Sequence, residues 1–226
     1  MRNPGELRLL VMARLAPVLR HDINNLMTVL KLDLSGARSR ARRNVLDAPR
    51  ITALLDSLNE GMARLTEAHG RLIGWLEDGQ AAIAIGPALA EIADLLRGPC
   101  ALRGCRLGVA APALERNFSA DRGALRMLTA AALLALIDGA WPVGPIELDA
   151  ESAPDRIAVV IRRGAVAAGE SGVSATSLDA GAHPYVAAPV AREQQLDLDA
   201  VEALATHYGW RVERGDDELR LTGPLG

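Results

Sequence analysis

The chain has 226 residues, half of them apolar, with 25 basic and 28 acidic side chains and a net charge of −3. A sizeable core can be buried, and the overall charge attracts neither nucleic acid nor an anionic membrane surface. Charges every few residues in "MRNPGELRLLVMARLAPVLRHD" exclude a signal peptide, and no apolar run approaches the roughly 18 residues that span a bilayer, so a cytoplasmic protein is expected.

Residues 5 to about 37 place Leu15, Leu19, Ile23, Leu26, Leu30 and Leu34 at spacings of three and four, the signature of one long amphipathic helix. A second helix is predicted from Asp47, an N-cap followed by Pro49 in the first turn, to about Asp78. Its apolar positions Ile51, Leu55, Leu58, Met62, Leu65, Leu72 and Leu76 form a heptad seam, with His69 in the skipped place. Such a seam calls for partner helices, and one antiparallel hairpin cannot cover its own stripe; two hairpins from two chains make a four-helix bundle, hence a homodimer. "SGARSRARRN" is then the exposed tip.

Beyond "EDGQ" the pattern changes. A short helix at about 86 to 97 precedes the strand "CRLGVAA", and a helix from the N-cap Asp121 to Gly139 precedes the paired strands "PIELDAE" and "RIAVVIRR". Residues 164 to 190 lack periodicity and read as a loop. The end, "DAVEALATHYGWRVERGDDELRLTGP", reads as helix, glycine stop, strand, turn and strand. The fold class is α+β: a helical hairpin over 1–80, then a sheet with helices on one face over 81–226. Cys100 and Cys105 are the only cysteines; no histidine lies near them, so zinc lacks ligands and both read as small buried hydrophobes.

His21, in "LRHDINNLMTVL", lies about 160° around the helix from Leu19, the centre of the buried stripe, and so faces outward. Asn25 shares that face, and Asp22 lies beside it. A carboxylate accepting from Nδ1 leaves Nε2 as a nucleophile and stabilises its positive charge. An ordinary surface histidine fits the same geometry; a metal ligand fits less well, since no second His or Cys stands three or four residues away.

"LRHDINNLMTVL" resembles the H-box of two-component histidine kinases: a His, then an acid, then Asn or Thr at the fourth position after the His. The order of elements downstream is similar to the kinase ATP-binding domain, with "LLALIDGAWPVGPIEL" in place of the Asn-bearing box and "ALATHYGWRVE…LRLTGPL" as the closing helix and hairpin. The departures decide what this implies. The magnesium-coordinating Asn falls at about Ala135, and the adenine-reading Asp falls near Arg162, with Val166 in place of a glycine. The later glycine box falls on "QLDLDAV", with Gln195 and Asp197 where bare backbone should approach phosphates.

The resemblance therefore implies a histidine phosphotransferase with a degenerate ATP-binding domain. It implies no cofactor of its own, with Mg2+ supplied by the partner, and as partners response-regulator receiver domains, among them that of a hybrid histidine kinase. His21 is the expected phosphoacceptor, supported by Asp22 and Asn25. Arg14, Arg20, Asn24, Thr28 and Lys31 are expected to contact the receiver, the cations neutralising phosphoryl oxygens. Neither nucleic acid nor membrane is an expected partner. A kinase with an atypical ATP site and a non-catalytic binding module stay open as alternatives.

Overall fold

A computed structural model of the chain describes residues 2–43, 47–76, 81–116, 118–140, 144–164 and 194–225. They divide into two compact units, one of Met12–Asp78 and one formed by Met1–Val11 with Gly79–Gly226, so the first long helix contributes to both.

Helix α1 spans Pro4–Arg42 and α2 spans Ala48–Leu76. A reciprocal cap starts α1: Asn3 Oδ1 accepts from the Glu6 amide at 2.9 Å, and Glu6 Oε2 accepts from the Asn3 amide at 3.1 Å. The expected cap of α2 is present, the Arg50 amide donating to Asp47 Oδ1 at 3.0 Å. The expected tip is mostly helix instead. Alanine and arginine are good helix formers, and Arg40 and Arg42 in the last turn meet the partial negative charge of the helix C-terminus, so α1 runs on through "SGARSRAR".

Leu30 meets Gly61, and Ser57 Oγ donates to Asp33 Oδ2 at 3.1 Å, which sets α1 and α2 antiparallel. A Cβ on Gly61 would lie 2.5 Å from Leu30 Cδ2, so glycine permits that approach. The covered positions of α2 are Leu54, Leu58, Gly61, Leu65, Ala68, Leu72 and Trp75, stepping by alternate four and three. This is a heptad seam offset from the expected one. Ile51, Leu55, Met62 and Leu76 are 43%, 54%, 54% and 55% exposed, and Leu34, expected in the stripe of α1, is 54% exposed while Ala37 takes the buried place.

At about 100° per residue, the open positions of α2 lie about 40–100° to one side of its covered seam, and Ile23, Met27 and Leu34 lie about 40–80° to one side of the seam of α1. Because the helices are antiparallel, these two rotations turn toward the same face of the hairpin. One face thus carries a continuous apolar band with His69 in its middle.

The second unit holds β1 (Ala82–Ala84), α3 (Ile85–Leu102), β2 (Arg106–Val109), α4 (Ala111–Leu114), β3 (Ser119–Asp121), α5 (Arg122–Ala135), a π turn (Leu136–Ala140), β4 (Pro145–Ala153), β5 (Arg156–Arg163), α6 (Leu198–His207), β6 (Arg211–Arg214) and β7 (Glu218–Pro224). The main sheet has the order β2-β4-β5-β7-β6, with β2 parallel to β4 and the other pairs antiparallel. The expected α+β class is observed. The expected loop at 164 to 190 falls, but for Gly164, outside the described residues.

Period-two alternation builds the core: Ile146, Leu148 and Ala150, Ile157, Val159 and Ile161, and Leu219 and Leu221 are all buried. Register pairs Leu148 with Ile161 and Val159 with Leu221, so they share one face. Helix α5 packs against α3 and α6 and is buried from Ala124 to Ala135, a stretch that is apolar all round except for Arg126 and Thr129. Gly223 is set by Trp210, because a Cβ there would lie 2.2 Å from the indole Cε2. Gly223→Ala is expected to cost about 1–3 kcal/mol through overpacking, read as a lowered midpoint in urea denaturation.

Cys100 and Cys105 are free and buried, as expected. They close the cap of α3: the Cys105 amide donates to Cys100 O at 2.9 Å and the Gly104 amide to Ala101 O at 3.0 Å, with Gly104 left-handed at φ 73°. Burial first, and the neighbouring Cys105 second, push the Cys100 thiol from 9.0 up to about 12. The neutral thiol thus favours the fold. That contribution is whole below about pH 9 and drains away as pH rises toward the folded value. Thermal melts should show stability falling through this alkaline window with a slope approaching one proton, about 1.4 kcal/mol per pH unit, and Cys100→Ala should remove that component.

Candidate functional site

His21 sits near the middle of α1, on the side of the hairpin away from the covered seam. Its side chain is 25% exposed, and that of Asp22 is 52% exposed. The helical repeat places Arg14, Asn25, Thr28 and Leu32 within about 40° of the line of His21. Arg20 and Lys31 lie about 80–100° off that line, Asn24 about 60°, so the expected contacts of Arg20 and Lys31 fall at the margin of the face.

Asn25 and Asp22 both lie beside the imidazole. Asn25 Nδ2 lies 3.2 Å from Nδ1 and 3.4 Å from Nε2, whereas Asp22 Oδ1 lies 3.6 Å from Nδ1, an ionic rather than a hydrogen-bonding distance. The amide one helical turn on thus lies nearer the imidazole than the adjacent carboxylate does. Thr28 Oγ1 donates to Asn24 O at 2.8 Å, so its hydroxyl proton is committed to the helix and its methyl group is what it offers to a partner.

Two apolar residues were absent from the expected set. Val29 is 56% and Leu32 is 66% exposed. Leu32 shares the His21 face and Val29, about 80° off that line, borders it one turn beyond Asn25, so that together they make a mixed patch on a convex helix, a form suited to a protein surface rather than an enclosed small molecule. The signal lay in "VLKLDL", where four apolar residues in six exceed what a single buried stripe requires.

The second unit places the positions where the resemblance expects nucleotide contacts. Ala135 ends α5 with 1% exposure and offers only a methyl group. Arg162 lies on the sheet face opposite the apolar core. Its Nε donates to Glu218 Oε2 at 3.0 Å, Nη1 to Asp149 Oδ2 at 2.8 Å and Nη2 to Glu151 Oε1 at 2.9 Å. The hydrogen bond that Arg162 donates to Glu218 leads the causes that raise its pKa, so the guanidinium is held as a cation by three acids.

Around the expected glycine box, the chain's own groups satisfy the anion-seeking amides. Asp197 caps α6, its Oδ1 accepting from the Ala200 amide at 2.8 Å. The Leu196 amide donates to Asp138 Oδ2 at 3.3 Å, and Gln195 O accepts from Arg2 Nη1 at 3.4 Å. Asp138, whose side chain is 3% exposed, and Arg2 were not anticipated; an acid closing the apolar run "LLALIDGA" was the available signal for the first. Val166 lies outside the described residues. Among the described residues no group of three or more His, Cys, Asp or Glu is placed to hold a metal ion, and no helix is long and apolar enough to cross a membrane.

Neither a protein-family model nor a curated protein matches the sequence. Solved structures similar to this chain include histidine kinases. That of Burkholderia phymatum has 17% identity and a TM-score of 0.47, covering 97% of this chain and 98% of its own. The Acinetobacter baumannii histidine kinase AdeS has 12% identity and a TM-score of 0.42, covering 91% of this chain and 97% of its own. The histidine kinase ThkA, solved in complex with the response regulator protein TrrA, has 12% identity and a TM-score of 0.43, covering all of this chain and 65% of its own.

Proposed function

We propose that this chain is a phosphorelay histidine phosphotransferase: His21 takes a phosphoryl group from the aspartyl phosphate of a receiver domain and passes it to another receiver, without binding ATP. The observation that carries this reading is the outward-facing cluster of His21, Asp22 and Asn25 in "LRHDINNLMTVL", set beside the exposed Val29 and Leu32. In the forward step the Nε2 lone pair attacks phosphorus, the bond from phosphorus to the receiver's carboxylate oxygen breaks, and that carboxylate leaves as an anion. The imidazole becomes a cation, whose Nδ1 proton Asp22 can accept. The reverse step returns the phosphoryl group to a carboxylate. Acyl phosphate and phosphohistidine are comparably reactive, so the chain contributes mainly position and electrostatics. The receiver supplies the magnesium.

The second unit supports the absence of ATP chemistry. Asp138 and Asp197 occupy amides that a polyphosphate would seek, and both would repel it. Arg162 brings a donor where adenine's amino group needs an acceptor. The open apolar band of the hairpin supports a homodimer in which two hairpins pair. The test is label transfer: incubation with labelled ATP and, separately, with a panel of labelled phospho-receivers. Acid-labile label from a receiver alone is the expected result; label from ATP would make the chain a kinase, and label from neither would leave it a binding module.

A further inference from the structure

The face that carries His21 does not end at Leu32. At about 100° per residue, Leu32 and Ser39 lie within about 20° of the line of His21, Ser35 and Arg43 about 40° to either side of it, and Arg42 about 60° off on the side of Ser35. Beyond Leu32 the side chains along this line are therefore small, until Arg42 and Arg43 flank it; all of these residues are exposed. Charge is segregated at the same place. From Leu34 to Leu46 the chain has four arginines, Arg38, Arg40, Arg42 and Arg43, and no acid, and α1 stays helical through Arg42, so the cations form an ordered array. Over residues 34–55 five arginines meet one acid, Asp47, a balance of +4, so the total of −3 leaves −7 on the rest of the chain. Asp47 pairs with Arg50 at 3.8 Å, and Arg40 Nε donates to Gly36 O at 3.2 Å. Among the described residues no acid pairs with Arg38, Arg42 or Arg43.

We propose that Arg42 and Arg43 are the far end of the docking surface that begins at His21, and that they receive an acidic face of the same protein partner. The two ends are 21 residues apart, about 32 Å along the helix. A globular domain of about 100 residues has a radius of gyration of about 13 Å, hence a diameter of about 34 Å, so one domain lying along α1 can meet both. The small side chains between Leu32 and Arg42 let its surface come close to the helix. Carboxylates are the partners that fit two guanidinium forks, and their attraction steers the approach before the histidine is reached. Nucleic acid fits less well: a long polyanion would run on against the negative remainder, and residues 34–55 hold no aromatic side chain on which a base could stack. An anionic membrane would meet the tip end-on, whereas Arg42 and Arg43 flank a line that runs along the side of the helix.

That this partner is a receiver domain rests on the proposed function, so binding is measured apart from transfer. A panel of purified receiver domains is bound to the full chain as wild type, as Arg42→Gln with Arg43→Gln, and as Arg42→Lys with Arg43→Lys, at low salt and at 1 M salt. Glutamine is a good helix former, so circular dichroism should not change. For receivers that bind the wild type, the glutamine pair should slow association by about tenfold at low salt, and the lysine pair, which keeps both charges, should restore most of that rate. At 1 M salt, where charges are screened beyond about 3 Å, the three chains should converge. Equal association of wild type and the glutamine pair at low salt would overturn the inference and leave the proposed function standing. Wild-type binding to mixed-sequence RNA or to phosphatidylglycerol vesicles but to no receiver, lost in the glutamine pair, would overturn it in favour of a polyanion. Charge-dependent binding of a receiver that passes no label to His21 would sustain the inference and sink the proposed function.

Discussion

His21→Ala should take no label from any phosphorylated receiver that labels the wild type, a drop of at least about a thousandfold in transfer rate. The size follows from chemistry: the variant retains no nucleophile at that position, and positioning cannot replace a missing bond-forming atom. Asp22→Asn should be milder, slowing transfer by about a hundredfold, the lower end of what a proton-accepting group contributes, because its carboxylate is 52% exposed and partly screened by water. The measurement is single-turnover transfer from a labelled receiver followed by acid and base treatment, since a phosphohistidine is lost in acid and survives base. Retained label in His21→Ala would move the acceptor elsewhere and end the reading of the H-box. Label from ATP in the wild type would show that Asp138, Asp197 and Arg162 do not exclude a nucleotide.

How much of this could be read in the sequence depends on the range of the forces involved. Element order was legible because it rests on local patterns. Asp47, Asp121 and Asp197 each accept from an amide three residues on, the behaviour of an N-cap, although for Asp197 the sequence suggests only a side chain in place of a glycine. Period-two alternation in "PIELDAE" and "RIAVVIRR" gave paired strands whose register then proved to alternate core and solvent. The outward face of His21 followed from the helical repeat alone. What the sequence did not reveal was set by non-local choices. Leu34 and Ala37 fit a helical stripe equally well, and only the packed hairpin selects between them. The three-acid clamp on Arg162 joins strands 11 to 56 residues apart. The bond from the Leu196 amide to Asp138 spans 58 residues. Within the candidate site, Asp22 and Asn25 both lie beside the imidazole, with Asn25 the nearer of the two. Adjacency favoured Asp22, yet residues one apart project about 100° away from each other on a helix, whereas residues four apart stack.

Leu55→Glu combined with Met62→Glu should convert a dimer into a monomer while leaving phosphoryl acceptance by His21 in place. Both residues are 54% exposed in the single chain and lie in the apolar band with Ile51, Leu76 and Leu34. Burying a leucine or methionine gains about 1.5–3 kcal/mol. Because each is already about half covered in the single chain, and a two-fold interface repeats every loss, removing two such side chains per protomer forfeits about 3–6 kcal/mol before repulsion among four buried carboxylates is counted. With that repulsion, the loss exceeds what most homodimers can lose at micromolar concentration. Neither substitution touches the covered seam of Leu54, Leu58, Leu65 and Leu72, so circular dichroism should retain its helical signal while sedimentation velocity reports half the mass. The His21 face lies on the other side of α1 from this band, so a monomer should still accept label, at a rate reduced only by whatever the second hairpin adds to receiver docking. A monomeric wild type would refute the four-helix bundle. Loss of helical signal in the double variant would show instead that the hairpin does not stand without its partner, and dimerisation would then be a condition for presenting His21 at all.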